Sequence, residues 1–300
     1  MKITAAVLLL FVTQFSLADS GVKTIYGKDN RQDLFEVTNP LYRELSLSTA
    51  AVMSRTNLAP MTNGQYFIQS TIFGESMEMC KSERFYDQPS AAFCSAFLVT
   101  PDLMLTAGHC VFDETDCKSA RFVFHYAVTT PGQYPNRANP ENIYACKEVV
   151  AKKFTFFWAD YALVRLDRSV TGIKPLALNR SGFIDPTAEF VVMGHPAGLP
   201  LKIADGATLR QNRFWKKYFK TNTDTFGGNS GSPVINTRTG LVEGILVRGG
   251  RDYNFSRKEN CYRTRVCVEK GCRGEDVTKV STFLKHLPPA HGLQSTNGNE

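Results

Sequence analysis

From Gln65 onward the chain is a succession of short β-rich runs separated by turn signals, and nothing else in it constrains the fold as strongly. Strands are predicted at Tyr66–Ile72, Ala96–Thr100, Leu103–Ala107, Arg121–Val128, Tyr144–Val150, Tyr161–Leu166, Phe190–Gly194 and Leu241–Val247. Pro101-Asp102 reads as a hairpin turn, and Asn236 to Gly240 as another between Pro233-Val234-Ile235 and the strand from Leu241. So many short strands at regular intervals predict an all-β sandwich or barrel. Helices are predicted only near the ends. Asn39 can cap one with Pro40 at its first position, and Leu41, Leu45, Ala50 and Met53 recur on one face. A second is predicted over 277–287, closed by Pro288-Pro289. The cysteine-free stretch 19–64 is expected to be a propeptide or an N-terminal arm.

The beginning of the chain speaks to its compartment. Met1-Lys2 is positive, Ile3 to Val12 is almost unbroken apolar sequence, and Ser16-Leu17-Ala18 suits a cut after Ala18. That is the pattern of a secretory signal peptide over 1–18. The apolar run is about 10 residues, where spanning a membrane takes roughly 20. Export, extracellular or periplasmic, makes disulfides the default reading of the 8 cysteines. Zinc would want short paired spacings, and the tightest set, Cys261, Cys267 and Cys272, includes no histidine. No cofactor or metal is expected.

Three segments carry chemistry: Leu-Thr-Ala-Gly-His-Cys at 105–110, Asp-Tyr-Ala-Leu-Val-Arg-Leu at 160–166, and Gly-Gly-Asn-Ser-Gly-Ser-Pro at 227–233. The glycine-rich turn can converge several backbone N–H groups on one point beside the Ser230 hydroxyl, as an oxyanion requires. A serine hydroxyl is a poor nucleophile until a base takes its proton, and that base needs a carboxylate to fix its tautomer. His109 and Asp160, at predicted strand ends, are the candidates. Each segment alone has a plainer reading: an ordinary turn, a buried structural histidine, a strand cap. In the order His, Asp, Ser they match the chain order of trypsin-like proteases.

On these motifs the chain resembles the trypsin/chymotrypsin-like serine endopeptidases, in particular the bacterial branch that includes glutamyl endopeptidases. The resemblance covers roughly residues 65–287, and Gly194-His-Pro-Ala-Gly-Leu-Pro resembles that branch's Gly-Tyr-Pro segment. It implies two antiparallel six-stranded β-barrels with a cleft between them and a C-terminal helix. The implied boundaries are 65–170 for the barrel with His109 and Asp160, 171–290 for the barrel with Ser230, and 291–300 for a flexible tail. It implies Ser230 as nucleophile, His109 as base and acid, Asp160 as orienting carboxylate, and the Gly228 and Ser230 N–H groups as oxyanion hole. Cys94 and Cys110 look like the family's disulfide bracketing the catalytic histidine. With 117–146 also expected to pair, cysteine parity leaves Cys80 to join one of Cys261, Cys267 and Cys272 across the two halves.

Specificity is less sharply written. Asn229 stands where digestive relatives keep the aspartate that receives a freshly cut N-terminus, a mark of the bacterial branch. Asp224 occupies the position that selects Lys or Arg in trypsin, yet Asp224-Thr225-Phe-Gly-Gly also resembles Glu-specific relatives, with Thr225 as a carboxylate ligand. Their pocket histidine is absent from Ile245-Leu-Val-Arg-Gly, where Arg248 could serve as the cation, while Glu275 would favour a basic substrate. The expectation leans to an acidic or uncommitted pocket.

The formal charge of +7 is concentrated. Residues 200–280 hold 16 Lys and Arg against 8 Asp and Glu. The expected partners are protein or peptide substrates and, through this basic half, anionic surfaces, with attraction that weakens as salt rises. No specific nucleic acid and no transmembrane segment are expected, and the chain is expected to be a monomer. The competing reading is a catalytically inactive homologue that binds anionic partners.

Overall fold

The computed structural model describes residues 25–155 and 159–289. The predicted signal peptide and the tail from 291 lie outside the described residues. Twelve strands form two closed barrels. In the first are β1 (Thr49–Ser54), β2 (Cys94–Thr100), β3 (Leu103–Thr106), β4 (Ala120–Val123), β5 (Ile143–Thr155) and β6 (Ala159–Leu166), in the order β4-β5-β6-β3-β2-β1, with β1 pairing back on β4. In the second are β7 (Glu189–Gly194), β8 (Lys202–Gln211), β9 (Tyr218–Thr221), β10 (Pro233–Asn236), β11 (Val242–Arg248) and β12 (Glu275–Lys279), in the order β7-β10-β11-β12-β9-β8, with β8 closing on β7. The chain is mostly β, as expected, and both barrels are antiparallel.

Two boundaries differ from the expectation. The first barrel begins at Thr49, because the stretch read as propeptide or arm supplies β1. Thr-Ala-Ala-Val-Met-Ser shows no alternation since both of its faces are covered. Val52 packs into the barrel core, while Ala51 and Met53 pack against Leu58 and Ile68 on the other side. Burying a Val or Met side chain contributes about 1.5–3 kcal/mol, so β1 holds the barrel shut. The predicted C-terminal helix is also replaced in part. Its first residues are β-branched or strand-paired and form β12, and only two 3₁₀ turns follow, Val280–Thr282 and Leu284–His286. The predicted strand at 66–72 is two short strands outside the barrel, Tyr66–Ile68 and Thr71–Ile72.

The helix over Pro40–Ser46 forms as read, with the Asn39 side chain accepting the Leu41 N–H. Ahead of it an arm crosses to the second barrel. Ile25–Tyr26 runs parallel to Val266–Cys267, and Arg31–Asp33 adds a strand to β8. Its anchor is a buried ion pair, Asp33 to Lys202 at 2.6 Å, completed by the Gln88 and Pro200 oxygens. Burial pushes the Lys202 ammonium down to about 8.

Four disulfides pair all eight cysteines: 80–261, 94–110, 117–146 and 267–272. The first joins the two halves, as parity required. Among the described residues no helix is long and apolar enough to cross a membrane.

Candidate active site

Three chain segments converge where the barrels meet. β3, fully buried, ends at Thr106, and the 3₁₀ turn Gly108–Cys110 puts His109 just beyond it. Only glycine fits at 108, since a Cβ would stand against the carbonyl oxygens of Lys153 and Tyr161. Asp160, the second residue of β6, is completely buried. Its Oδ1 accepts the Gly108 N–H at 2.6 Å and the His109 N–H at 3.2 Å, and its Oδ2 lies 2.8 Å from His109 Nδ1. Three N–H groups on one carboxylate make burial of the charge affordable and fix the ring's orientation. The backbone of Asp160 is tied across to the second barrel through its carbonyl, which accepts the Thr278 hydroxyl at 3.0 Å.

Ser230 lies in the turn between β9 and β10. The start of β2 holds both it and the histidine. Cys94 is disulfide-bonded to Cys110, next to His109, and the Ser95 N–H donates to the Ser230 carbonyl at 2.8 Å. The Cys110 Sγ itself is 3.7 Å from that carbonyl oxygen. The Ser95 hydroxyl also donates to the Gly228 carbonyl and accepts the His195 N–H. Sequence reading did not single out Ser95, whose one signal was its place beside Cys94. Among the described residues the Ser230 hydroxyl makes no hydrogen bond.

The turn's backbone is more telling. The Gly227 N–H goes to Asp252 Oδ2, Asn229 to the Phe226 carbonyl, Gly231 to Leu246 and Ser232 to Asn229. Among the described residues the Gly228 and Ser230 N–H groups alone in this turn have no acceptor. Gly228 has φ +90° and sits so close to the His195 carbonyl that a side chain is excluded. The turn therefore offers two spare donors next to one hydroxyl, the arrangement that stabilises a developing oxyanion.

The residues expected to line a substrate pocket are in other settings. Asp224 is buried under the arm, its two oxygens accepting the Tyr26 N–H at 2.7 Å and the Asn30 N–H at 2.9 Å. Burial pushes its carboxyl up to about 7, against the pull of those two donors. Thr225, also buried, donates to Glu275 at 3.3 Å, and Glu275 in turn accepts from the Tyr26 hydroxyl. Tyr26 thus fills the space between Asp224 and Glu275, a role no short-range sequence signal announces. Arg248 lies outside this cluster and is only partly exposed. Its Nε is 3.4 Å from Asp276, and its Nη1 is buried 4.0 Å from Asp160 Oδ2. Asn229 turns its Oδ1 to the Ser232 hydroxyl. Among the described residues two groups have metal-like geometry, Cys94–His109–Cys110 and Cys80–Glu259–Cys261, but their cysteines are in disulfides and hold no thiolate to ligate an ion.

Residues 94–245 match the sequence family described as a trypsin-like peptidase domain. No curated protein sequence matches the chain significantly. Among solved structures, the chain is similar to the VesB protease of Vibrio cholerae at 14% identity and TM-score 0.49, over 85% of this chain and 65% of that one. It thus spans under two thirds of that protease's length. It is also similar to a Glu endopeptidase (13% identity, TM-score 0.47, 87% of this chain and 96% of that one). A thermostable serine protease, AL20, from an extremophilic microorganism is similar at 16% identity and TM-score 0.46, over 80% and 94%. At such identities these likenesses say nothing of chemistry.

Proposed function

Because the chain belongs to the trypsin-like peptidase family, we propose that it is a secreted serine endopeptidase working through Ser230, His109 and Asp160. The observation that carries this reading is the pairing of the buried Asp160–His109 contact with a turn that keeps the Gly228 and Ser230 amides unspent. Asp160 holds the proton on Nδ1, leaving Nε2 as the basic nitrogen. Nε2 takes the proton as the Ser230 Oγ adds to the scissile carbonyl, and the oxygen that gains charge is met by the two amides. Collapse of the tetrahedral species breaks the C–N bond, and the imidazolium gives its proton to the departing amine. Water then repeats the sequence on the acyl-serine and returns the free enzyme.

Four disulfides and the signal-like first 18 residues support export. With Asp224 buried under the arm and each of its oxygens held by an arm amide, no exposed anion stands at that position to select Lys or Arg. Digestion of a peptide library, read by mass spectrometry, tests activity and preference together. Internal cleavage that disappears in Ser230→Ala, without exclusive cleavage after Lys or Arg, is expected. Cleavage unaffected by Ser230→Ala would overturn the mechanism, and exclusive cleavage after Lys or Arg the specificity.

A further inference from the structure

The loop joining β8 to β9 carries Arg213-Phe214-Trp215-Lys216-Lys217 at a hairpin tip. Phe214 is 89% exposed and Trp215 52%, and the two rings meet edge-on with centroids 4.8 Å apart. Scattered exposed apolar residues are ordinary, but adjoining aromatic rings held in water on a projecting loop are not. Phe183, 67% exposed, borders the same cleft of about 580 Å³, which has Ile184 and Leu209 among its apolar walls and Lys216, Lys217 and Lys279 among its cations. No carboxylate lines this cleft among the described residues. The Arg213 guanidinium lies over Trp215 at 5.8 Å and the Lys216 ammonium over Tyr218 at 5.8 Å, so the cations lie against the rings.

We propose that this hairpin tip docks the protein on an anionic lipid bilayer. Phe214 and Trp215 enter the boundary between headgroups and acyl chains, where amphipathic rings are favoured, and Arg213, Lys216 and Lys217 meet the lipid phosphates. Charge complementarity alone would also suit a soluble polyanion, but such a partner gives no reason for two apolar rings at the tip. A single nucleic-acid strand would want parallel ring faces for its bases, and these rings stand at 89° to each other. The surface also has a defined relation to the cleft. Tyr218, which opens β9 directly after the loop, has its ring 5.7 Å from the Arg248 guanidinium, and Arg248 reaches to 4.0 Å from Asp160. Docking by this tip therefore holds the candidate active site beside the bilayer.

The test uses the full chain carrying Ser230→Ala, which cannot digest itself and keeps this surface intact. It is sedimented with vesicles of phosphatidylcholine, with and without phosphatidylglycerol. Binding only to the vesicles with phosphatidylglycerol is expected. Adding Phe214→Ser with Trp215→Ser should weaken it roughly tenfold or more, and Lys216→Gln or Lys217→Gln about fivefold each. Phe214, Trp215 and Lys217 are exposed and Lys216 is half-buried, so melts run alongside separate lost binding from lost folding. Absence of binding to the anionic vesicles overturns the proposal. Binding that survives loss of both rings reduces the surface to a general polyanion contact, and ring-dependent binding of a single-stranded oligonucleotide in place of vesicles assigns it to nucleic acid. The readout is binding, so neither result depends on the chemistry of Ser230.

Discussion

Asp160→Asn is the substitution whose outcome the geometry dictates most fully. Oδ1 accepts two backbone N–H groups, from Gly108 and His109, while Oδ2 lies 2.8 Å from His109 Nδ1 and 4.0 Å from Arg248 Nη1. Asparagine keeps one oxygen, and the two backbone donors hold it on the Oδ1 side, since turning the amide round would set an NH2 against both. The NH2 then stands where Oδ2 was and donates to Nδ1, which can accept only by giving up its proton. In a neutral ring that proton moves to Nε2, the nitrogen that must receive one from Ser230. The fold survives because both backbone donors keep their acceptor. By the scale of this tautomer change in Ser-His-Asp enzymes, kcat should fall about 10⁴-fold, equal to about 5 kcal/mol in barrier. The assay is steady-state hydrolysis of a cleaved peptide by both chains near neutral pH, with thermal melts run alongside. A loss under about tenfold with unchanged melting would refute the role given to Asp160.

Three further outcomes are expected. Gly228→Ala places a Cβ against the His195 carbonyl at a positive φ, so the turn must shift and carry its N–H away from the oxyanion position, which should lower kcat about 10²–10³-fold with little change in KM; wild-type kinetics would remove Gly228 from the site. The Cys80–Cys261 bridge closes 181 residues and the Cys267–Cys272 bridge 5, so removing the first should cost about 5 kcal/mol and the second about 2 in the chain-entropy model; equal shifts in denaturant midpoint would contradict this. Asp224, with its carboxyl raised to about 7 in the fold, keeps its proton over a range in which the unfolded chain loses it. The folded state therefore binds more protons between about pH 4 and 7, and this share of stability, about 4 kcal/mol at most, is lost as pH rises through that window. The stability difference between wild type and Asp224→Asn should accordingly favour wild type more at about pH 5 than at about pH 8. Equal differences at both pH values in denaturant titrations would show Asp224 ionised throughout.

The barrels and the candidate triad were legible where local chemistry is strong. Hairpin turns, the glycines at 108, 227, 228 and 231, and the residues beside them are short-range signals, and so was the odd cysteine count in each half. What could not be read depends on contacts between residues far apart in the chain. β1 looks like part of a helical face at Ala50 and Met53 because burial on both sides erases strand alternation. The setting of Asp224 is decided by Tyr26, 198 residues away, whose N–H reaches it only once the arm lies along the second barrel. Arg248 reads as a pocket cation from the sequence, and the shift in strand register between Leu246 and Arg248 accompanies its pairing with Asp276 instead.

The most direct measurement is covalent labelling by a serine-directed fluorophosphonate, with the modified residue identified by mass spectrometry. A single adduct on Ser230 is expected, absent from Ser230→Ala and formed orders of magnitude more slowly in His109→Ala. A folded chain that takes no label, or takes it at another residue, would contradict the assignment of Ser230 as an activated nucleophile.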